Sequence, residues 1–164
     1  GTIYVGTDDG NVQMTTDGGG HWTDLTSRFG MTPTRYVSKV YASRHDPRTA
    51  YVAFDGHWDD DEKPYLFKTT DGGASWTSIS SDLPGWKPVK TLEEDPRNAN
   101  LLFVGTEFGL YWTTDGGRHW SAATGNVPPV MIDRIIVNPK SNDIILGTHG
   151  RGVILLDDIA PLEE

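Results

Sequence analysis

An all-β fold built from four-stranded antiparallel blades, about three and a half of them in a partial β-propeller, is what this sequence predicts. Three observations carry the prediction. One eight-residue turn occurs three times, at Thr15–Trp22, Thr69–Trp76 and Thr113–Trp120. Landmarks around it recur at a near-constant spacing: Asp71 to Asp115 is 44 residues, Asp95 to Asn138 is 43 and Gly105 to Gly147 is 42. Nineteen glycines and ten prolines, with no sustained helical period, leave room only for short strands between many turns. A repeat of this length holding four short strands is one propeller blade.

The repeated turn reads hydroxyl, any residue, Asp, Gly, Gly, two variable residues, Trp, and each part has a mechanical task. Gly19, Gly73 and Gly117, with the glycine before each, supply backbone conformations that a side chain would resist. The carboxylates of Asp17, Asp71 and Asp115 accept hydrogen bonds from their own turns, and Thr15, Thr69 and Thr113 add a hydroxyl. Trp22, Trp76 and Trp120 then open the next strand with a large apolar ring that pins the turn to what lies beneath. A turn repeated in equivalent places is architecture rather than an active site.

In order along the chain, the first blade (1–34) opens on the β-rich run Gly1–Thr7, turns at Asp8-Asp9-Gly10 and returns into the first box, without a first strand. The second blade (35–86) begins with Tyr36–Ser43, turns at His45-Asp46-Pro47-Arg48 and runs through Ala50–Phe54. The third (87–128) repeats this with Val89–Glu93, a turn at Glu94-Asp95-Pro96-Arg97 and Asn100–Thr106. The fourth (129–164) has Asp133–Val137, Asp143–Thr148 and Gly152–Leu156, and lacks a box and a last strand. Second strands such as Leu101-Leu102-Phe103-Val104 are apolar without alternation, as strands buried on both faces are. Asp17 to Asp71 is longer, at 54, because Gly56–Lys63 is inserted between strands of the second blade. Lying outside the period, that insertion reads as a solvated loop dispensable for folding.

Fourteen basic against twenty-three acidic residues, a net charge of −9, exclude nucleic acid or an anionic membrane as the main partner. No apolar run is long enough for membrane insertion as a helix. With no cysteine there is no disulfide framework and no thiolate chemistry. No Ser/His/Asp order, zinc spacing or phosphate loop appears, so no catalytic residue and no resident cofactor or metal is assigned.

The eight-residue turn resembles the Asp-box, or BNR repeat, of sialidases, xyloglucanases and sortilin-type receptors. A more specific resemblance covers nearly the whole chain. The runs Ala50–His57, Lys63–Asp71, Leu102–Leu110 and Leu146–Gly152 with Leu156-Asp157-Asp158 are similar to the C-terminal part of the propeller in bacterial sortilin-like, glycosyl-hydrolase-like BNR-repeat proteins. That resemblance implies a secreted, periplasmic or cell-envelope protein whose other blades lie upstream. It brings no catalytic motif that maps onto residues here. The cysteine-rich module of animal sortilins is absent, so peptide sorting is not implied.

The same resemblance places the boxes on one face and the ligand site on the other, formed by loops joining second to third strands and one blade to the next. That face holds Asp8, Asp9, Asp55, His57, Trp58, Glu107, Phe108, His149 and Arg151, with Arg28, Arg35 and Trp86 from the interblade connections. Of these, Asp55, His57, Trp58, Glu107, Phe108, His149 and Arg151 are the candidate binding residues. Asp59, Asp60 and Asp61 offer oxygen ligands for Ca²⁺, although the spaced order of a dedicated calcium loop is missing and a solvated acidic loop is the plainer reading. His149 and Arg151 suit an anionic ligand, or a hairpin that ties blade to blade.

Two readings of function follow. One is a non-catalytic propeller segment that acts as a scaffold or binds a protein or glycan. The other is part of an Asp-box glycoside hydrolase, xyloglucanase- or sialidase-like, using two carboxylates. For a sialidase, Arg35 and Arg151 do not complete the arginine cluster that grips a substrate carboxylate. With unpaired strand edges at both ends, the expected partners are other propeller blades or a second copy of the chain.

Overall fold

The computed structural model describes residues 1–163. Among these residues fourteen strands form four antiparallel sheets. The first contains β1 (Ile3–Gly6), β2 (Val12–Thr15) and β3 (Thr23–Asp24). The second contains β4 (Tyr36–Ala42), β5 (Ala50–Gly56), β6 (Asp61–Thr69) and β7 (Thr77–Ser78). The third contains β8 (Val89–Glu94), β9 (Leu102–Thr106), β10 (Gly109–Thr113) and β11 (Ser121–Ala122). The fourth contains β12 (Ile132–Asn138), β13 (Asp143–Thr148) and β14 (Gly152–Leu156), followed by a single helical turn, α1 (Ala160–Glu163). Each sheet is a meander, and successive sheets stack face to face as blades of a partial β-propeller.

The core is divided among the three gaps between blades. Val12, Leu25 and Phe29 of the first blade meet Val37, Val52 and Phe54 of the second. Tyr51, Leu66 and Ile79 of the second meet Leu92, Val104 and Trp120 of the third. Leu101, Phe103 and Leu110 of the third meet Ile132, Ile135 and Leu146 of the fourth. Burial on both faces explains why β5 and β9 are apolar without alternation, since every residue of both is buried. In β13, on an end blade, only Ile144 and Leu146 are buried. The innermost strands share one irregularity: β4, β8 and β12 each bulge at the same place, between Val37 and Lys39, Val89 and Thr91, and Ile132 and Arg134.

The repeated turns hold themselves as the sequence suggests. Thr69 Oγ1 donates to Asp71 Oδ1 at 2.7 Å and accepts from Gly73 N at 2.9 Å, while Asp71 Oδ1 also accepts from Ser75 N at 2.9 Å. Thr15, Asp17 and Gly19 repeat this, as do Thr113, Asp115 and Gly117. Gly117 has φ 97°, and a Cβ there would lie 2.8 Å from Ile79 Cδ1 of the preceding blade. The boxes of the second and third blades also reach their own blade's first turn, with Gly72 N donating to Arg48 O at 2.8 Å and Gly116 N to Asn100 O at 2.9 Å.

Two sequence expectations are altered here. The three tryptophans are not equivalent pins: Trp120 is 8% exposed, Trp76 is half-buried and Trp22 is 44% exposed. Trp76 and Trp120 each pack on the blade before their own, whereas among the described residues Trp22 has no blade before it. The insertion is also more than a loop. Asp61–Lys63 belong to β6, Gly56 pairs with Asp61, and only a single 3₁₀ turn, His57–Asp59, with Asp60 connects the strands.

Candidate functional site

Antiparallel order puts the boxes and the first-to-second-strand turns on one face, and the second-to-third-strand turns with the interblade connections on the other. Asp55 ends β5 beneath this second face with its side chain 2% exposed. Lys90, on β8 of the next blade, reaches Asp55 Oδ2 at 2.5 Å. His57 Nδ1 lies 2.8 Å from Asp55 Oδ1, and the His57 backbone N–H donates to the same oxygen at 3.0 Å. Glu107 Oε2 is 3.9 Å from Lys90 Nζ. Burial would raise the Asp55 carboxyl, but the hydrogen bonds from Lys90 and His57 outweigh it and hold it below the ordinary range. Asp55, His57 and Glu107 are therefore brought together, around a lysine that sequence reasoning did not single out. Lys90 sits in the inner strand, where only stacking of the next blade aims it at Asp55.

Aromatic rings stand above this charged group. Trp58 is 79% exposed and its ring lies 4.4 Å from the His57 ring. Trp86 and Phe108, 55% and 39% exposed, lie 5.4 Å apart. Lys87 Nζ sits 4.7 Å above the Trp86 ring and donates to the Tyr111 hydroxyl at 2.6 Å. Beside Phe108 a cleft of about 320 Å³ opens between Tyr111, Ala123, Val127, Pro128 and Pro129. Trp86 joins the site through its interblade connection, and Lys87 and Tyr111 had no signal in sequence.

Other candidates lie apart. His149 and Arg151 occupy the exposed β13–β14 turn, where His149 Nδ1 is 3.8 Å from Asp133 Oδ2 of the same blade. That contact stays within one sheet and does not tie blade to blade. Arg28 reaches the Gly73 carbonyl in the box of the second blade, which removes it from the loop face. Asp8 is exposed, while Asp9 accepts from the Thr7 hydroxyl, which holds its carboxyl low.

Asp59, Asp60 and Asp61 do not form a ligand set. Asp59 and Asp60 are exposed, whereas Asp61 turns inward to accept from the Tyr65 hydroxyl at 2.6 Å and from Arg35 Nη2 at 3.2 Å. Among the described residues no three His, Asp or Glu side chains converge as metal ligands. A second charged group lines the innermost strands. Arg44 Nη2 donates to Glu93 Oε1 at 2.7 Å, with Lys39 and Arg134 nearby. Burial raises the Glu93 carboxyl despite these cations. Burial also lowers the Lys39 ammonium.

The fold defines the class: a set of consecutive β-propeller blades. No protein-family model matches the chain, and no curated protein matches it in sequence. Solved structures do match. The GH74 xyloglucanase from Xanthomonas campestris is similar at a TM-score of 0.76 and 19% identity, over 96% of this chain and 27% of that one. The extracellular domain of the putative one component system BT4673 from B. thetaiotaomicron is similar at 0.71 and 16%, over 96% of this chain and 20% of that one. YCF48 bound to D1 peptide is similar at 0.65 and 19%, over 94% of this chain and 47% of that one. At these identities the likeness shows the fold alone, and the chain spans from a fifth to about half of those proteins' lengths. Among the described residues no helix is long and apolar enough to cross a membrane.

Proposed function

We propose that this chain is a non-catalytic segment of a larger secreted or envelope BNR-repeat propeller, scaffolding it and presenting a binding face for a protein or glycan. The observation that carries this reading is the division of labour on the loop face. Its buried acid is committed to internal pairing, with Asp55 held ionised by Lys90 and His57, while Trp58, Trp86 and Phe108 present their rings to solvent. A general acid in glycoside hydrolysis needs a raised pKa and access to the glycosidic oxygen. Asp55 has neither. Exposed aromatic rings beside a cleft suit binding, because they bring much contact area at low entropic cost. Among similar folds, one is described as a xyloglucanase and another as bound to a peptide, so both ligand classes accompany this architecture.

Titration with xyloglucan oligosaccharides, read by tryptophan fluorescence and by release of reducing ends, tests the reading for the glycan. The expected outcome is a fluorescence change that Trp86→Ala removes, with no reducing ends released. Release that disappears in Asp55→Asn or Glu107→Gln would instead establish the glycoside-hydrolase reading.

A further inference from the structure

On the box face, opposite the loop face, two gaps between blades are built to one plan but lined differently. The register makes Met14 of β2 and Lys68 of β6 equivalent, since Met14 pairs with Thr23 as Lys68 pairs with Thr77. In the box of the following blade Ala74 and Arg118 are equivalent, each standing directly after the second glycine. The gap between the first and second blades therefore carries Met14 and Ala74, where the gap between the second and third carries Lys68 and Arg118. Packing asks for no charge at these places, because Met14 simply joins the apolar cluster of its own gap.

Lys68 and Arg118 line a cleft of about 250 Å³ together with Thr70, Ser75, Thr77 and Asp115. The Lys68 ammonium lies 5.5 Å from the centre of the Tyr51 ring, and a Cβ on Gly116 would stand 3.3 Å from its Nζ. The glycine thus leaves room for the ammonium against the box of the next blade. Burial lowers this ammonium, opposed by Glu94 and aided by Arg118, so an anion beside it would relieve the cost of that burial. Arg118 uses its Nε on the Asp115 carbonyl at 3.2 Å, which leaves the terminal nitrogens of its fork directed to other acceptors. The Asp115 carboxylate is committed to its own turn. Its Oδ1 accepts from the Thr113 hydroxyl at 2.7 Å and from the N–H groups of Arg118 and His119 at 2.9 and 3.0 Å, and its Oδ2 lies 2.7 Å from His119 Nδ1. Ser75 is committed likewise, donating to Asp71 Oδ2 at 2.6 Å.

We propose that this cleft binds a compact tetrahedral oxyanion, phosphate or sulfate, between the second and third blades, held by the Lys68 ammonium, the Arg118 guanidinium and the hydroxyls of Thr70 and Thr77. A point-charge ammonium beside a planar donor fork suits such an anion, and charge-assisted hydrogen bonds are the strong ones. The cleft is smaller than the about 300–1,000 Å³ of pockets for drug-sized ligands, which fits a small group rather than an extended one.

The test is an anion titration of the intact chain, followed by amide NMR shifts at an ionic strength held constant with sodium chloride. Inorganic phosphate should shift the amides of Thr70, Thr77 and Gly116 saturably, and inorganic sulfate should compete with it. Lys68→Met combined with Arg118→Ala gives this gap the residues that the first gap already folds with, and should weaken phosphate binding about tenfold or more. Lys68→Gln and Arg118→Gln, made singly, should each weaken it by a smaller factor, and they carry the test if the double variant unfolds. Glucose 6-phosphate separates the two sources of the group: tighter binding than inorganic phosphate assigns an ester carried on a sugar, and weaker binding assigns the free ion. Shifts that never saturate, or phosphate binding undiminished in the folded variants, overturn the site.

Discussion

Trp120 donates its indole Nε1–H to the carbonyl of Ile79 at 2.7 Å, across the gap between the third and second blades. Trp76 occupies the same place one blade earlier, but its Nε1 is buried without a protein partner. Trp22, one blade earlier again, is 44% exposed. The same residue in the same motif thus holds three environments, decided by what stands on the preceding side.

From that gradient comes a graded stability prediction. Trp120→Ala removes a buried ring and leaves the Ile79 carbonyl unpaired, so it should cost about 3–5 kcal/mol. Trp22→Ala should change stability by less than about 0.5 kcal/mol in the isolated chain, as exposed substitutions do. Trp76→Ala should fall between them. Urea denaturation of the three variants measures the order, and equal losses would contradict interblade packing as the source.

The box carboxylates set the acid limit. Asp17, Asp71 and Asp115 lie well below the ordinary carboxylate range, chiefly through hydrogen bonds from the side chains of His21, Ser75 and Thr113 respectively. A carboxyl whose folded-state pKa is depressed gives stability that is complete above its unfolded value, about 3.9, and is lost as pH falls through the folded one. The melting temperature should therefore fall steeply only below about pH 4. Asp71→Asn should make that acid limb shallower, and an unchanged limb would mean that the boxes do not set it.

Glu93 acts in the opposite direction. Burial raises its carboxyl more than Arg44, Lys39 and Arg134 lower it. A folded state that binds the proton more tightly than the unfolded one gains stability as pH falls from above the folded pKa toward the unfolded value near 4.3. Stability should thus improve from neutral to mildly acidic pH before the box carboxylates fail. Glu93→Gln, which cannot ionise, should flatten this rise; a rise of the same size in the variant would assign it elsewhere.

Much of this molecule is legible in its sequence because a propeller is local. Four strands, their turns and the box all lie within one period of the chain, so Asp95 to Asn138 or Gly105 to Gly147 reveals a blade directly. What depends on the neighbouring blade is not legible. Lys90 pairs with Asp55 and Tyr51 donates to Glu94 at 3.2 Å only because separate periods stack, and nothing in either period marks them. The Gly56–Lys63 stretch misled for the same reason. Its acidity reads as solvation, while Asp61 is drawn inward by Tyr65 and by Arg35 from the preceding connection.

That inward turn makes the insertion part of the structure. Tyr65→Phe removes a hydroxyl that donates to a largely buried carboxylate, and should cost about 1–2 kcal/mol. Replacing Gly56–Lys63 by a short glycine linker should cost more, since it also releases Arg35. Full retention of the melting temperature after that deletion would show that the loop is solvated after all.

The pairing of Lys90 with Asp55 carries the sharpest energetic prediction. Asp55 is 2% and Lys90 11% exposed at the side chain, so removing either partner leaves a charge that water cannot readily reach. Lys90→Met should cost about 3–5 kcal/mol, much of it the penalty of stranding Asp55 rather than the worth of the pair. Asp55→Asn should cost less, because the amide oxygen can still accept from Lys90 in the Oδ2 position, where only the His57 N–H to Oδ1 loses its acceptor, and Glu107 remains 3.9 Å from the ammonium. In the double variant the loss should be smaller than the sum of the two, with a coupling above about 1 kcal/mol, since the charge that Lys90→Met strands is then absent. Denaturation of all four proteins closes the cycle. Additivity within about 0.5 kcal/mol would mean that the two blades are joined here by packing alone.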